Sequence, residues 1–335
     1  LLCGIKLLPG PDERMQKHPK VEDCTVEFTD LWGVAVEEPG VRAPQADLES
    51  QMLDITSFPL VDDVLVEIFD KAKLPRLGGM SSGRGWSSFS TFQRCPYAWK
   101  QRYVEQRRPV LLVESPSLAI GTLIHTFLAV HYMRMMDPKY RLTPEQIYAA
   151  LRGVCNPKFV EEGWRIFVGY RLFYKHEVIT PLAIEYDLKD PRTGESCRYD
   201  LIAYYPEWVA GRPPGTYIVE HKSASRFDQD TLEGWVNDGE VIGEVALWQH
   251  LGLDHRFGKL RGVIVNLLGK QKDPQYHRTL VAPESWQVGQ HLADLKRWEG
   301  LIQLARSTDS FPRARNGCIG RYGRCDWFDH CGGME

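Results

Sequence analysis

The sequence predicts an α/β fold, a mixed β-sheet covered by helices on both sides. Two observations predict it. Apolar residues recur at helical spacing through most of residues 88–176, and from Val178 onward the texture changes to short runs rich in β-branched and aromatic residues. The resulting order, helices, then three strands, then helix and strand, suits a sheet sandwiched between helical layers.

Residues 1–84 form an irregular N-terminal extension or accessory segment. Pro9, Pro11, Pro19, Pro39, Pro44, Pro59 and Pro75 punctuate it, Gly78, Gly79 and Gly83 close it, and Val61 to Lys73 carries helical spacing within it. The ordered body spans 85–335. Ser88 and Ser90 can cap a helix running through Phe92 to Cys95, and Pro96 suits the first turn of a second, basic helix over Tyr97–Arg108. A longer apolar helix runs from Pro116 to Met136 and stops before Pro138. Residues 143–176 read as helical and aromatic. Val178–Leu188 and Arg198–Tyr205 flank a turn at Asp190–Gly194 and so read as a hairpin. Thr216–Lys222 is a third strand, Glu240–Leu251 a helix, Gly262–Leu268 a very apolar strand with Arg278–Val281 as its partner, and Ser285–Ala305 a closing helix.

Charge and composition narrow the class. With 41 basic against 44 acidic residues and a net charge of −3, the chain is no simple nucleic-acid coat. Residues 1–75 hold 15 acidic against 7 basic residues, which leaves the body mildly basic. No run approaches the roughly 20 apolar residues of a membrane span, and the first residues lack signal-peptide features, so a cytoplasmic, membrane-free setting is expected. Eight cysteines are too sparse for a disulfide scaffold. Cys318, Cys325 and Cys331 crowd the C-terminus, and Gly317, Gly320, Gly323 and Gly332 supply the turns that wrapping a metal requires. Cys3, Cys24, Cys155 and Cys197 stand alone as small hydrophobes or exposed thiols.

The chemistry is carried by charged residues on strands. Glu220 and Lys222, one residue apart, point to the same side of their strand. If the hairpin and the third strand are neighbours, Asp200 converges with Glu220, giving the hard oxygen donors that Mg²⁺ or Mn²⁺ prefers. Lys222 then stands beside the cation, and His125, on the long helix, is a further ligand. Phosphodiester hydrolysis needs an activated water, a cation on the phosphoryl oxygens and a positioned nucleophile, and this set can supply all three. Each residue alone more often belongs to a solvated face or a satisfied core; the order and context of the set lift the reading.

Ser88-x-Ser90 with Cys95-Pro96, then Gly121-Thr122-x-x-His125, Tyr199-Asp200-x-Ile202 and Ile218-Val219-Glu220-x-Lys222 stand in the order found in RecB-like nucleases of the PD-(D/E)xK superfamily, which this chain resembles from about Ser88 to Cys331. The resemblance implies a restriction-endonuclease-like mixed sheet with helical insertions, His125, Asp200 and Glu220 as metal ligands and Lys222 as the catalytic lysine. It implies a DNA nuclease, an exonuclease or end-processing enzyme acting on single strands or duplex ends, in repair, recombination or a phage or CRISPR setting. No P-loop is present, so any helicase would be a separate partner. RecB-like members usually carry Gln and Tyr four apart on the helix after the third strand. Glu244 and Trp248 hold those positions here, where the indole can still stack but the carboxylate would repel phosphate.

The resemblance extends to the subset that includes CRISPR-associated and AddB-type exonucleases, in which one early and three C-terminal cysteines hold an iron-sulfur cluster. Cys95, Cys318, Cys325 and Cys331 match that arrangement and imply a [4Fe-4S] group stapling the C-terminus to the body. By spacing alone, Zn²⁺ fits the same four thiolates. A DNA path is read from Trp99-Lys100-Gln101-Arg102-Tyr103 with Arg107 and Arg108, and from Arg313–Arg324 with Tyr322. For the first run the competing reading buries the aromatics and leaves the cations in water. The competing function is a catalytically inactive DNA-binding or scaffolding module.

Overall fold

A computed structural model of the chain describes residues 59, 61–71, 84–107, 115–208, 211–314, 318–320, 323–325, 327–328 and 331. Most of the predicted extension, together with Arg108, Gly317, Tyr322 and Gly332, lies outside the described residues.

The helices are α1 Val61–Lys71, α2 Trp86–Arg94, α3 Pro96–Trp99, α4 Pro116–Met136, α5 Pro144–Arg152, α6 Pro157–Phe173, α7 Gln229–Glu233, α8 Gly239–Leu251, α9 Asp254–Phe257 and α10 Ser285–Ser307. Five strands, β1 Thr180–Lys189, β2 Ser196–Tyr205, β3 Gly215–Ala224, β4 Leu260–Gly269 and β5 Tyr276–Val281, form one sheet in the order β1-β2-β3-β4-β5. Neighbours are antiparallel except β3 and β4, which run parallel because the helices α7 to α9 cross over between them. A two-stranded ribbon, β6 Ile319–Gly320 with β7 Gly323–Arg324, follows. The mixed, helix-flanked sheet is the architecture that the change of periodicity predicts. No helix among the described residues is long and apolar enough to cross a membrane.

Period-two alternation divides the sheet's side chains between two cores. Leu201, Ala203, Tyr217 and Val219 pack under α4 and α6 with Leu123, Ile124, Phe127 and Phe167. Ile202, Ile218, Val263 and Val265 pack under α8 with Val241, Val245 and Trp248. Gly163 lets α6 lie close against α4, since a Cβ there would meet the Leu123 Cβ at 2.9 Å. Val61, Leu65 and Phe69 of α1 are buried in the α4 core, so this stretch of the predicted extension shares it.

Local chemistry explains several departures from the sequence reading. Residues 143–176 hold two helices, because Thr143 and Gln146 close a capping box on α5 and Asn156 caps α6 just before Pro157. Ser88 is no cap. It lies buried inside α2, where its hydroxyl accepts the Trp99 indole N–H at 2.8 Å, and Gly85 holds the cap position. The predicted basic helix from Tyr97 is instead the single turn α3 followed by a π-turn over Lys100–Val104. Trp99 is buried and stacks on Phe311, with Tyr103 packed beside it, and Lys100 pairs with Asp309 at 2.7 Å. Of the two readings of this run, the geometry favours buried aromatics with cations at the surface.

Candidate active site

Asp200 stands where β2 and β3 part. The last backbone pair between them is Leu201 with Val219, so the Asp200 carboxylate occupies the gap beyond it. Its Oδ2 accepts the backbone N–H of His221 at 2.8 Å, and its Oδ1 lies 3.3 Å from Nδ1 of His125 on α4. Glu185 is the third member of this group. It faces Asp200 across the hairpin, bracketed by the pairs Ile184 with Leu201 and Tyr186 with Tyr199. Alternation fails on both strands at this level. Tyr199 and Ile202 face the α8 core with Asp200 and Leu201 between them, and Ala183 and Tyr186 do so with Ile184 and Glu185 between them. Both carboxylates turn toward α4, and the pairing shifts register nearby, between Pro181 and Ala183, as bulges do near functional sites. Glu185 adopts φ of +46°, a left-handed conformation that costs a non-glycine residue energy.

His125, Glu185 and Asp200 each offer a ligand atom within 4.8 Å of the others, the one such group of three or more among the described residues. One nitrogen and two carboxylates suit a divalent cation such as Mn²⁺ or Mg²⁺.

Glu220 and Lys222 form the adjoining half. They share the side of β3 occupied by Ile218 and face α8, where Lys222 Nζ lies 2.6 Å from Glu220 Oε1 and 2.7 Å from Glu240 Oε2. His221, between them, points the other way. It stacks on Tyr132 of α4 at 5.9 Å, and its Nδ1 accepts from Asn266 Nδ2 at 2.8 Å. Thus His125 meets Asp200 directly, Glu220 and Lys222 hold each other, and Asp200 sits in the strand gap between the two pairs.

The electrostatics show what the site lacks. Burial opposes a charge on His125, but Asp200, then Glu185 and Glu220, lift its pKa to about 9. Burial would raise the Asp200 carboxyl; His125, His221 and Lys222 overcome that and hold it well below the usual range. Burial and the Asp200 charge push Glu185 up to about 7, against the pull of His125 and Arg198. Burial and Asp200 push Glu220 up to about 8, against Lys222. Burial, then Glu220 and Glu240, drive Glu244 well up. Carboxyl groups therefore outnumber the one imidazolium and one ammonium beside them, and burial favours the neutral form of several. Glu220 Oε2 is buried without a hydrogen-bond partner, and a divalent cation would relieve both deficits.

Glu185 escaped the sequence reading, yet a signal existed. Pairing residues outward from the Asp190–Gly194 turn places it opposite Asp200. The helix after β3 differs from its expected role. Trp248 is buried, packs near Tyr199 and donates its indole N–H to Asp254 at 2.7 Å, so it offers no stacking face to DNA. Glu244 is also buried rather than facing phosphate.

The backbone strain at Glu185 gives a test. Glu185→Gly should hold or raise the thermal midpoint, since glycine accepts this φ and relieves about 1 kcal/mol of strain. Calorimetric affinity for Mn²⁺ should fall at least about tenfold. A lowered midpoint with unchanged Mn²⁺ binding would remove Glu185 from the ligand set.

Cys95 lies at the junction of α2 and α3, packed with Trp327 and Cys325. The Cys325 N–H donates to the Cys318 carbonyl at 2.8 Å, and the Cys331 N–H to the Phe328 carbonyl at 3.3 Å. Burial raises the Cys331 thiol pKa, Arg313 opposes this, and Cys95, Cys318 and Cys325 add to it, so the four thiols share one electrostatic neighbourhood. Their sulfurs are not drawn into a group of three or more within 4.8 Å.

Comparison with known proteins gives the following. Residues 86–196, which hold His125 and Glu185 but end before Asp200, match the family model of the PD-(D/E)XK nuclease superfamily. No curated protein sequence matches the chain. Among solved structures, the chain is similar to a crystal structure named "Putative exonuclease" from Eubacterium rectale, with 12% identity, a TM-score of 0.44, and coverage of 75% of this chain and 89% of that one.

Proposed function

We propose that the chain is a metal-dependent deoxyribonuclease, an exonuclease or end-processing enzyme that hydrolyses phosphodiester bonds. The observation that carries this reading is the meeting of His125, Asp200 and Glu185 beside the Glu220 and Lys222 pair in the gap between two strands. The match to the nuclease superfamily model supports it.

His125, Asp200 and Glu185 would hold Mg²⁺ or Mn²⁺, with the Glu220 and Lys222 pair beside them. Such an ion supplies Lewis acidity at the phosphoryl oxygens and a bound water of lowered pKa. The protein's own groups do the rest. Asp200, fixed by the His221 N–H, keeps the two halves in register. Lys222, held by Glu220 and Glu240, places a permanent positive charge where negative charge develops on the phosphate. The superfamily's substrate makes DNA the expected polymer. A titration of Mg²⁺ and of Mn²⁺ against end-labelled single-stranded and duplex DNA tests the reading: shortening of the label is expected in at least one metal. Binding without cleavage in both would instead identify a scaffold that keeps the fold.

For the four cysteines the reading is a [4Fe-4S] cluster with a structural role. The shared neighbourhood of Cys95, Cys318, Cys325 and Cys331 supports a common ligand. Protein purified without oxygen should be brown with broad visible absorbance, and Cys331→Ser should bleach it. Colourless protein carrying one zinc would replace the cluster and leave the nuclease reading intact.

A further inference from the structure

A cavity of about 380 Å³ opens between α2, α8, α10 and the β1–β2 hairpin. It is not the metal site, but it shares walls with it. Glu240 lines the cavity and also accepts from Lys222; Arg198 lines it and also lies 3.8 Å from Glu185. The cavity therefore begins one side chain away from each half of the site.

Its lining mixes charges, with Arg84 and Arg198 among the cations and Glu240 and Glu244 among the acids. The carboxyl oxygens of Glu240 and Glu244 can accept hydrogen bonds from N–H groups. Glu244 is 2% exposed, and its Oε2 has no hydrogen-bond partner, a costly state for a buried oxygen that a ligand's donor would resolve. Trp86, half-buried at the start of α2, offers an aromatic wall, with its ring 5.6 Å from that of His291. A methyl group at Gly239 would collide with that indole, so the glycine allows the ring its place. An aromatic wall, a buried acceptor and an entrance beside the hydrolytic centre together describe a receptor for a flat, N–H-bearing heterocycle attached to a phosphodiester.

We propose that this cavity receives one unstacked nucleobase of the strand being cut, next to the scissile phosphate, with Trp86 as the stacking face and Glu244 accepting from the base's amino group. The inference rests on the nuclease reading and adds a base-binding subsite to it. Bases with an exocyclic amino group are favoured over thymine.

The test walks a single abasic nucleotide along a fluorescent single-stranded oligonucleotide. Binding is read by anisotropy in Ca²⁺ and cleavage in Mg²⁺ or Mn²⁺, for the wild type, Trp86→Ala and Glu244→Met. In the wild type, one abasic position adjoining the cleaved bond should weaken binding about tenfold or more, the scale of losing one stacked base. Trp86→Ala should abolish that dependence, and Glu244→Met, which removes both oxygens, should flatten the preference for amino-bearing bases. DNA cut with a flat abasic profile, or with the same profile in both variants, overturns the cavity assignment and leaves the nuclease reading standing. A Trp86-dependent profile without cleavage keeps the subsite and overturns hydrolysis; neither binding nor cleavage overturns both.

Discussion

Asp200→Asn should lower the rate of Mg²⁺- or Mn²⁺-dependent DNA cleavage by about a thousandfold while leaving the thermal midpoint near that of the wild type. Asn keeps an oxygen to accept the His221 N–H but loses the charge facing His125. Asp200→Ala should be as inactive and also less stable by about 1–3 kcal/mol, because the His221 N–H then loses its partner in a buried gap. Rates from end-labelled DNA and midpoints from calorimetry separate the two effects. If Asn at this position still cuts at a tenth of the wild-type rate, Asp200 is no ligand, and the hydrolytic centre must be sought elsewhere.

Glu177→Ala should cost about 3–5 kcal/mol of stability, the largest loss expected from one substitution outside the site. Glu177 pairs with Arg278, and their side chains are only 8% and 5% exposed. Arg278 also donates to the Tyr170 hydroxyl at 2.8 Å and to Asn266 Oδ1 at 3.2 Å, and its guanidinium lies 3.8 Å from the centre of the Tyr174 ring. Removing the carboxylate alone strands a buried cation. Replacing both partners, as in Glu177→Leu with Arg278→Met, removes the charges together and should recover much of the loss. Urea unfolding of the single and double variants reads the difference, and a single variant as stable as the wild type would falsify the buried-pair account. Asn266 carries the network on to His221, so the pair also steadies the strand that bears Glu220 and Lys222.

The sequence made the layered architecture legible because periodicity changes sharply at Val178, and period two survives along β3 and β4. Glu220, Lys222 and His125 stood out because each sits on an element whose face can be counted, and Asp200 because its strand neighbours the one that bears Glu220. Glu185 did not, because the count fails there: alternation breaks at this level of the hairpin, and only the position opposite Asp200 reveals it. The π-turn after Trp99 was equally hidden, since Lys-Gln-Arg-Tyr-Val has no composition that separates it from an ordinary helix. Trp248 misled for another reason. An aromatic at a family position reads as a DNA contact until Asp254 and Tyr199 are seen to enclose it.

The single parallel step in the sheet bears on how the molecule assembles. The β1–β2 and β2–β3 pairings need only short loops to close, so they are accessible early in folding. The β3–β4 pairing must wait until the chain has travelled through α7, α8 and α9, at a larger loop-closure entropy. Glu185 and Asp200 therefore come face to face in an early hairpin, whereas Glu240, which steadies Lys222, arrives with the late crossover. In refolding, the acidic cradle should precede the ammonium clamp, and cation capture should be gained before the ability to cut.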